Sequence, residues 1–277
     1  MSTNCPISVH SDNLSFAWGK AFLHSMNTSA QNLSPLIVSI SGFHAMPLEH
    51  SGVRKAVDAT LSRFNKVSAR VSAFTIFPES YWASLGKPDC DTLSSGYLKE
   101  ILPRMRAQNS LNRYGTYFER MVAFHGTVRS GEEFKQNSTN QLDHIIEQWR
   151  KLGRQGKRPR HSALVVSCFD PSKDHTGQLL RGFPCLTQVS FGYDDEGGLS
   201  LSAFYPTQYL FDRAYGNYLG LAHLGQFMAK EMSLSLKRLN FFIGRPEIGS
   251  VPKRDLSELA AYVKEIVDKD ALVKDTK

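Results

Sequence analysis

Apolar residues recur at helical spacing in several stretches of the chain, most clearly in residues 142–152. The apolar positions on one face of that stretch are Leu142, Ile145, Ile146, Trp149 and Leu152. Gly153 follows as a typical C-terminal cap. Similar spacing predicts helices over residues 13–23, 53–64, 98–107, 217–232 and 256–267. Residues 268–277 are expected to form a frayed tail.

Continuous or alternating apolar runs predict the β-strands. They cover residues 36–42, 163–169, 185–193, 199–205 and 239–243. The run DDEGG at 194–198 predicts a hairpin turn between two of them. Residues 67–77 alternate partly, which favours a strand or an extended segment. Residues 87–92 and 129–140 are polar and are expected to be loops.

These elements indicate a single α+β domain over residues 1–277. No internal repeat, low-complexity segment or linker divides the chain. Apolar residues make up 41% and charged residues 21% of the sequence, which is ordinary for a globular protein and allows a large core.

The net charge of +7 and the pI near 9.2 suit an anionic partner, such as a nucleotide, a polyglutamylated cofactor or nucleic acid. A mildly basic surface without a function is the alternative. The densest basic cluster, residues 151–160, is expected to be a solvated loop. Nucleic acid is the least favoured partner, because the aromatic–basic motifs of common nucleic-acid modules are missing.

Four cysteines are present, and none of them shows CxxC spacing, so a zinc site is not expected. Residues 1–15 lack the apolar run of a secretory signal, and no apolar stretch is long enough to span a bilayer. We therefore expect a cytoplasmic protein with free thiols and no membrane partner.

Candidate chemistry is concentrated in the run GFPCLTQ at residues 182–188 and the run YGN at 215–217. Pro184 is expected to place Cys185 at the start of a strand, where a cleft can reach the thiol. Asn217 is expected to open a helix, with its carboxamide free to face a ligand.

This arrangement resembles the thymidylate synthase family, which carries a Pro-Cys-His motif, a strand with a Gln a few residues on, a hairpin and a Phe-Asn that opens a long helix. Other segments follow in the same order. They are Ser39-Ile40-Ser41-Gly42, residues 75–82, Tyr114-Gly115 and the helix, basic loop and strand that end at Val166-Ser167. The likeness covers roughly residues 110–245 and is weaker before them.

The resemblance implies a thymidylate synthase-like fold, with a large mixed sheet packed by helices and a sheet-to-sheet homodimer that shares its sites. It also implies that the Cys185 thiolate adds to C6 of a uracil-type nucleotide or nucleoside. C5 would then accept a one-carbon unit, as a methyl or hydroxymethyl group, from 5,10-methylenetetrahydrofolate. Asn217 would match the N3–H and O4 of the ring. Tyr114 would order water or the C5 proton, and Gln188 would support the cysteine strand.

Several positions depart from the family pattern. Residues 27–32 and 162–163 lack the expected phosphate-binding arginines, and Pro206 stands at another arginine position. Tyr209 replaces the Asp that anchors folate, and Leu186 replaces a His. Residues 244–249 lack the His and Tyr that hold the ribose.

Two explanations for the missing arginines remain open. Either the substrate is not a simple nucleoside monophosphate, or other cations replace the lost ones. The candidate cations are Arg181, Arg213 and Arg245. For the family's general-acid glutamate, the nearby candidates are Asp58 and Glu79.

Structural roles compete with each of these assignments. Cys185 could be a small buried apolar thiol and Asn217 a helix cap. The alternative function is a binding or scaffold protein on the same fold that has lost its chemistry.

Overall fold

The chain forms a mixed α+β structure, in which helices pack on a large mixed sheet. The computed structural model describes residues 6–28, 35–43, 48–108, 112, 115–130, 133–178 and 184–275. The strands are β1 (Ile7–Ser11), β2 (Leu36–Ile40), β3 (Phe124–Ser130), β4 (Glu133–Thr139), β5 (Val165–Ser167), β6 (Gln188–Tyr193), β7 (Gly198–Tyr209) and β8 (Ser235–Glu247).

The described helices include the long, buried helix α10. In chain order they are α1 (Leu14–Asn27), α2 (Ser51–Arg63), α3 (Ala69–Ile76), α4 (Glu79–Ser84), α5 (Cys90–Gly96), α6 (Leu102–Gln108), α7 (Tyr117–Val122), α8 (Gln141–Gly153), α9 (Pro171–Asp174), α10 (Tyr215–Met232) and α11 (Ser257–Asp275). Two π-helical segments, Tyr97–Ile101 and Leu210–Ala214, lead directly into α6 and α10.

The main sheet has the strand order β1-β2-β8-β7-β6-β5. Strands β1 and β2 are parallel, and so are β7 and β8, while the other neighbours are antiparallel. The chain passes from β7 through α10 to β8, which is the helical crossover that parallel strands require. Strands β3 and β4 form a separate hairpin.

One face of the sheet carries the core. Side chains such as Val38, Leu201 and Phe241 point inward and are buried. Helix α10 is buried along most of its length, which explains why apolar residues lie on several of its faces. Gly216 allows α3 to approach α10 closely, since a Cβ there would lie 2.5 Å from the carbonyl oxygen of Ala69.

The opposite face of the sheet keeps large apolar side chains in solvent. Ile37, Phe204 and Phe242 are 37%, 41% and 43% exposed, and the two phenylalanine rings stack with centroids 5.4 Å apart. These residues line a shallow cleft of about 250 Å³. Asn240 crosses the same face, accepting a hydrogen bond from Ser39 and donating one to Ser202.

The expected strand over residues 67–77 is wrong, because most of this segment is α3. Ser68 caps the helix by accepting a hydrogen bond from the Val71 N–H, and Ala69, Ala73 and Ile76 are buried at helical spacing. The partly alternating apolar residues of this segment fit the period of a β-strand as well as that of an α-helix. The segment is helical because it packs against α10.

Other expected boundaries also differ. The loop over residues 129–140 is wrong, since β4 fills most of it. Helix α5 begins inside the expected loop at 87–92, where Asp89 caps it. Strand β1 was not expected at all. Helix α11 continues to Asp275, so most of the expected tail is helical.

Candidate functional site

Cys185 lies in a bend before β6. The sequence predicts a strand that begins at Cys185, but β6 begins three residues later, at Gln188. The side chain of Cys185 is partly exposed and packs against the core. The backbone N–H groups of Cys185 and Leu186 both donate hydrogen bonds to Oη of Tyr117, at 3.1 and 3.3 Å. Tyr117 therefore fixes the position of the bend that carries the thiol.

Tyr117 opens α7 and was not among the predicted site residues. The capping box of Thr116 and Glu119 marks the start of that helix. This pattern was visible in the sequence, but it could not reveal that the phenol reaches a bend 68 residues away. Its oxygen accepts two N–H groups and still carries a proton that it can donate.

Two charged side chains influence the Cys185 thiol. Burial raises its pKa, the Arg213 guanidinium lowers it, and the Glu247 carboxylate raises it. The resting thiol is therefore protonated near neutral pH. The site therefore combines a nucleophile with a cation and a carboxylate whose charges act on its acidity in opposite directions.

Arg213 belongs to the π-helical segment before α10, and its Nη1 donates to Ser72 Oγ on α3 at 3.5 Å. Glu247 is the last residue of β8 and accepts a hydrogen bond from Arg245 Nε at 2.6 Å. Arg245 and Glu247 therefore form an ion pair at the surface. Of the two candidate cations within the described residues, Arg213 is the one whose charge lowers the pKa of the Cys185 thiol.

Two phenols, Tyr117 and Tyr205, interact electrostatically with the thiol, and a third, Tyr218, interacts with Tyr205. Burial raises the pKa of each, so all three are neutral. Tyr218 Oη donates to Gln208 Oε1 at 3.3 Å. Tyr205 Oη and Gln208 Nε2 are buried and have no hydrogen-bond partner in the described part of the chain. The interior next to Cys185 thus retains unused polar groups, which a bound molecule or water could satisfy.

Asn217 is the third residue of α10 and does not open the helix as expected. The π-helical segment Leu210–Ala214 runs directly into α10, so the helical turn begins five residues earlier than Tyr215. The side chain of Asn217 is 5% exposed. It has no hydrogen-bond partner among the described residues and lies about one turn after Arg213.

The remaining predicted residues are spread over the molecule. Gln188 begins β6 and lies exposed at the cleft on the uncovered sheet face, while its backbone aligns with Phe204 of β7. Tyr114 and Arg181 lie outside the described residues. Tyr209, at the position of the folate-anchoring Asp, ends β7 and is exposed.

The two proposed general acids do not act on Cys185. Asp58 accepts hydrogen bonds from Arg54 Nε and from the backbone N–H of Ala69, so it supports the start of α3. Glu79 lines a different cleft, next to His223. Glu247 is the carboxylate that changes the acidity of the thiol, and sequence spacing offered no signal for it.

Other site types find no support in the described ranges. No group of three or more His, Cys, Asp or Glu side chains there could hold a metal ion. Cys90, Cys168 and Cys185 are free thiols, and Cys5 lies outside the described residues. No described helix has the length and apolar character needed to cross a membrane.

Comparison with models of known protein families gives no match to this chain, and comparison with curated protein sequences gives none either.

Proposed function

We propose that the protein activates C5 of a uracil-type nucleotide or nucleoside for one-carbon transfer, through a covalent adduct between Cys185 and C6. The observation that carries this proposal is a partly exposed thiol on a bend that Tyr117 fixes, beside the buried Tyr205 hydroxyl, which has no hydrogen-bond partner within the described ranges. A thiol that only filled space in the core would not need an unsatisfied polar group beside it.

The first step is addition. Sγ of Cys185 bonds to C6 as the C5=C6 double bond opens, and the negative charge moves to O4. The thiol proton passes to the Glu247 carboxylate. Arg213 stabilises the developing negative charge, and the Asn217 carboxamide is suited to the N3–H and O4 edge.

The second step uses the nucleophilic carbon. C5 attacks an electrophilic one-carbon donor, and loss of the C5 proton then expels the donor's carrier, which leaves an exocyclic methylene group on C5. Either hydride from the donor or water, with loss of a proton, adds to this methylene, and the thiolate leaves as the C5=C6 bond re-forms. Hydride gives a methyl group, and water gives a hydroxymethyl group.

The folate cofactor implied by the resemblance is not supported by the residues at its expected anchor. Tyr209 offers one phenol oxygen where a carboxylate would offer two charged acceptors. The one-carbon donor is therefore left open, and no step above depends on folate. Within the described residues, Arg213 is the one cation that lowers the thiol pKa, and one cation suits a nucleoside at least as well as a nucleoside monophosphate.

A donor-free experiment tests the adduct. Once Sγ has added to C6, C5 can take up deuterium from solvent and lose its hydrogen before the thiolate leaves. NMR would follow loss of the C5–H signal of uridine, deoxyuridine and their 5′-monophosphates in D₂O. We expect exchange with at least one of the four and its loss in Cys185→Ala.

Cys90→Ala is the matched control, because Cys90 is a buried free thiol capped by Ser94 and Asn140 and distant in sequence from the site. Its exchange rate should equal that of the unmodified protein. If none of the four compounds exchanges, or if Cys185→Ala still exchanges, the proposed chemistry is wrong.

The raised pKa of the Cys185 thiol favours one competing function, a binding or scaffold protein without catalysis. In that case a uracil nucleoside or nucleotide would protect Cys185 from alkylation without any C5 exchange. Alkylation with iodoacetamide, followed by mass spectrometry, reports the protection, and the presence or absence of C5 exchange then distinguishes the two functions.

We also propose that the protein is a homodimer, formed through the uncovered face of the main sheet. The exposed apolar side chains of Ile37, Phe204 and Phe242 support this proposal, because monomers rarely leave such a patch in water.

A further inference from the structure

A second cleft lies between α2, α3 and α10, and it does not include Cys185, Arg213 or Glu247. Its volume is about 170 Å³. The polar side chains that line it are Glu49, Arg54, Arg70, Glu79, Ser80 and His223. The site proposed above uses none of them, so any function of this cleft is independent of the Cys185 chemistry.

The inner wall of the cleft is apolar. Ala73 and Phe77 come from the α3 region and Leu219 from α10, and all three are buried. Phe74 adds a second aromatic ring. This wall can cover a short hydrocarbon chain or another small apolar group.

Two hydrogen bonds fix the side chain of Glu49. Its Oε1 accepts hydrogen bonds from Tyr215 Oη at 2.9 Å and from Arg54 Nη1 at 2.7 Å. Arg54 is fixed in turn, because its Nε donates to Asp58 Oδ2 at 2.6 Å. The second oxygen of Glu49 has no hydrogen-bond partner within the described ranges, so a preorganised acceptor remains for a ligand.

Three further side chains of the cleft have unused hydrogen-bonding capacity. Arg70, Glu79 and His223 make no side-chain hydrogen bond or ion pair with any described residue. Desolvation lowers the pKa of His223, so its imidazole is neutral near pH 7 and can accept a hydrogen bond. The cleft therefore contains one free cation, two carboxylates with free oxygens and a neutral imidazole.

We propose that this cleft binds a small zwitterion of the amino-acid class. The ligand's ammonium group is held by Glu49 and Glu79, with His223 as an additional acceptor, and its carboxylate is held by Arg70. Its carbon chain lies against Phe74 and Leu219.

Charge and size both select this class. Arg54 is shared between Glu49 and Asp58, so the lining keeps excess negative charge beside one unpaired guanidinium. A pure anion would face two carboxylates, and a pure cation would face Arg70. The volume is well below the roughly 300–1,000 Å³ of pockets for drug-sized ligands, so the ligand is small.

Histidine NMR on the full chain tests the proposal, with His223 assigned through its loss in His223→Gln. The probes are γ-aminobutyrate and L-valine, and the single-charge controls are butylamine and butyrate. We expect at least one zwitterion to shift the His223 ring signals in a saturable way. Each single-charge compound should bind about tenfold or more weakly, because it loses one charge-assisted contact.

Two variants test which side chains bind the charged groups of the ligand. Arg70→Gln and Glu79→Gln should each weaken binding of the zwitterion about tenfold. The matched controls, Arg154→Gln and Glu196→Gln, alter exposed charges in a turn and a hairpin and should leave binding unchanged. Unaltered thermal unfolding of all four variants would show that they fold.

The proposal is overturned if neither zwitterion shifts His223 at concentrations up to about 10 mM. It is equally overturned if butylamine or butyrate binds as tightly as the zwitterions, or if Arg70→Gln and Glu79→Gln bind normally.

Discussion

The phenol oxygen of Tyr117 accepts a hydrogen bond from the backbone N–H of Cys185, 3.1 Å away. The same oxygen accepts a hydrogen bond from the N–H of Leu186. One side chain of α7 therefore satisfies two consecutive backbone amides of the bend that precedes β6. The position of the proposed nucleophile is thus set by backbone contacts to a residue outside its own strand.

Tyr117→Phe should therefore loosen the bend while keeping the aromatic packing. Two buried N–H groups lose their acceptor, and we expect unfolding to become easier by about 1–3 kcal/mol. Urea denaturation measures this change. Tyr262→Phe, at an exposed phenol on α11, is the control and should differ little. Equal stabilities of the two variants would show that the bend does not depend on Tyr117.

Changing the charges near Cys185 should shift its reactivity in opposite directions. Arg213 lowers the thiol pKa and Glu247 raises it. At a fixed pH near 8, Arg213→Gln should slow alkylation of Cys185 by iodoacetamide, and Glu247→Gln should accelerate it, because only the thiolate reacts.

In the unmodified protein, the alkylation rate should rise with pH to a midpoint above that of an ordinary cysteine, because burial raises the thiol pKa. Mass spectrometry of the Cys185 peptide gives the rates. Glu265→Gln, at an exposed carboxylate of α11, serves as the control for a change of net charge. A shift of the same sign in both site variants would contradict the proposed placement of the charges.

Gly216→Ala should be destabilising although alanine favours helices. The added Cβ would lie 2.5 Å from both the Ala69 carbonyl oxygen and Ser72 Cβ, so α3 and α10 would have to separate. We expect a loss of about 1–3 kcal/mol in the free energy of unfolding. Gly177→Ala is the matched control, since its Cβ meets nothing within 4 Å. A stable Gly216→Ala protein would mean that the helices can move apart freely.

Phe242→Lys should disrupt the proposed homodimer, because it places a charge in the centre of the uncovered sheet face. Sedimentation should then show a monomer, and the secondary structure of the variant should be unchanged. Val71→Lys, at an exposed apolar residue of α3 on the helical side, should leave the association state unchanged. If the unmodified protein is already monomeric, the dimer proposal is wrong.

Much of the main sheet was predictable, because its inner strands carry apolar runs and the DDEGG turn marks the β6–β7 hairpin. Segments whose structure depends on distant partners were not. Residues 67–77 became helical through packing on α10, and polar β4 is a strand only because β3 pairs with it.

The candidate site shows the same division. The sequence singled out Cys185 and named Arg213 among the possible cations. It gave no indication of Tyr117 or Glu247, because each meets the cysteine bend only in the folded chain. The expected exposure of Asn217 failed because a π-helical segment extends the helix upstream of it.

Arg213 follows the end of β7, and Glu247 is the last residue of β8. The two strands pair in parallel up to Tyr209 and Glu247, and α10 connects them. The opposing charges therefore belong to one stiff unit, whereas the sulfur is carried on a bend anchored by a phenol from elsewhere. The acidity of the thiol is accordingly adjustable by small displacements of that bend, without any rearrangement of the sheet.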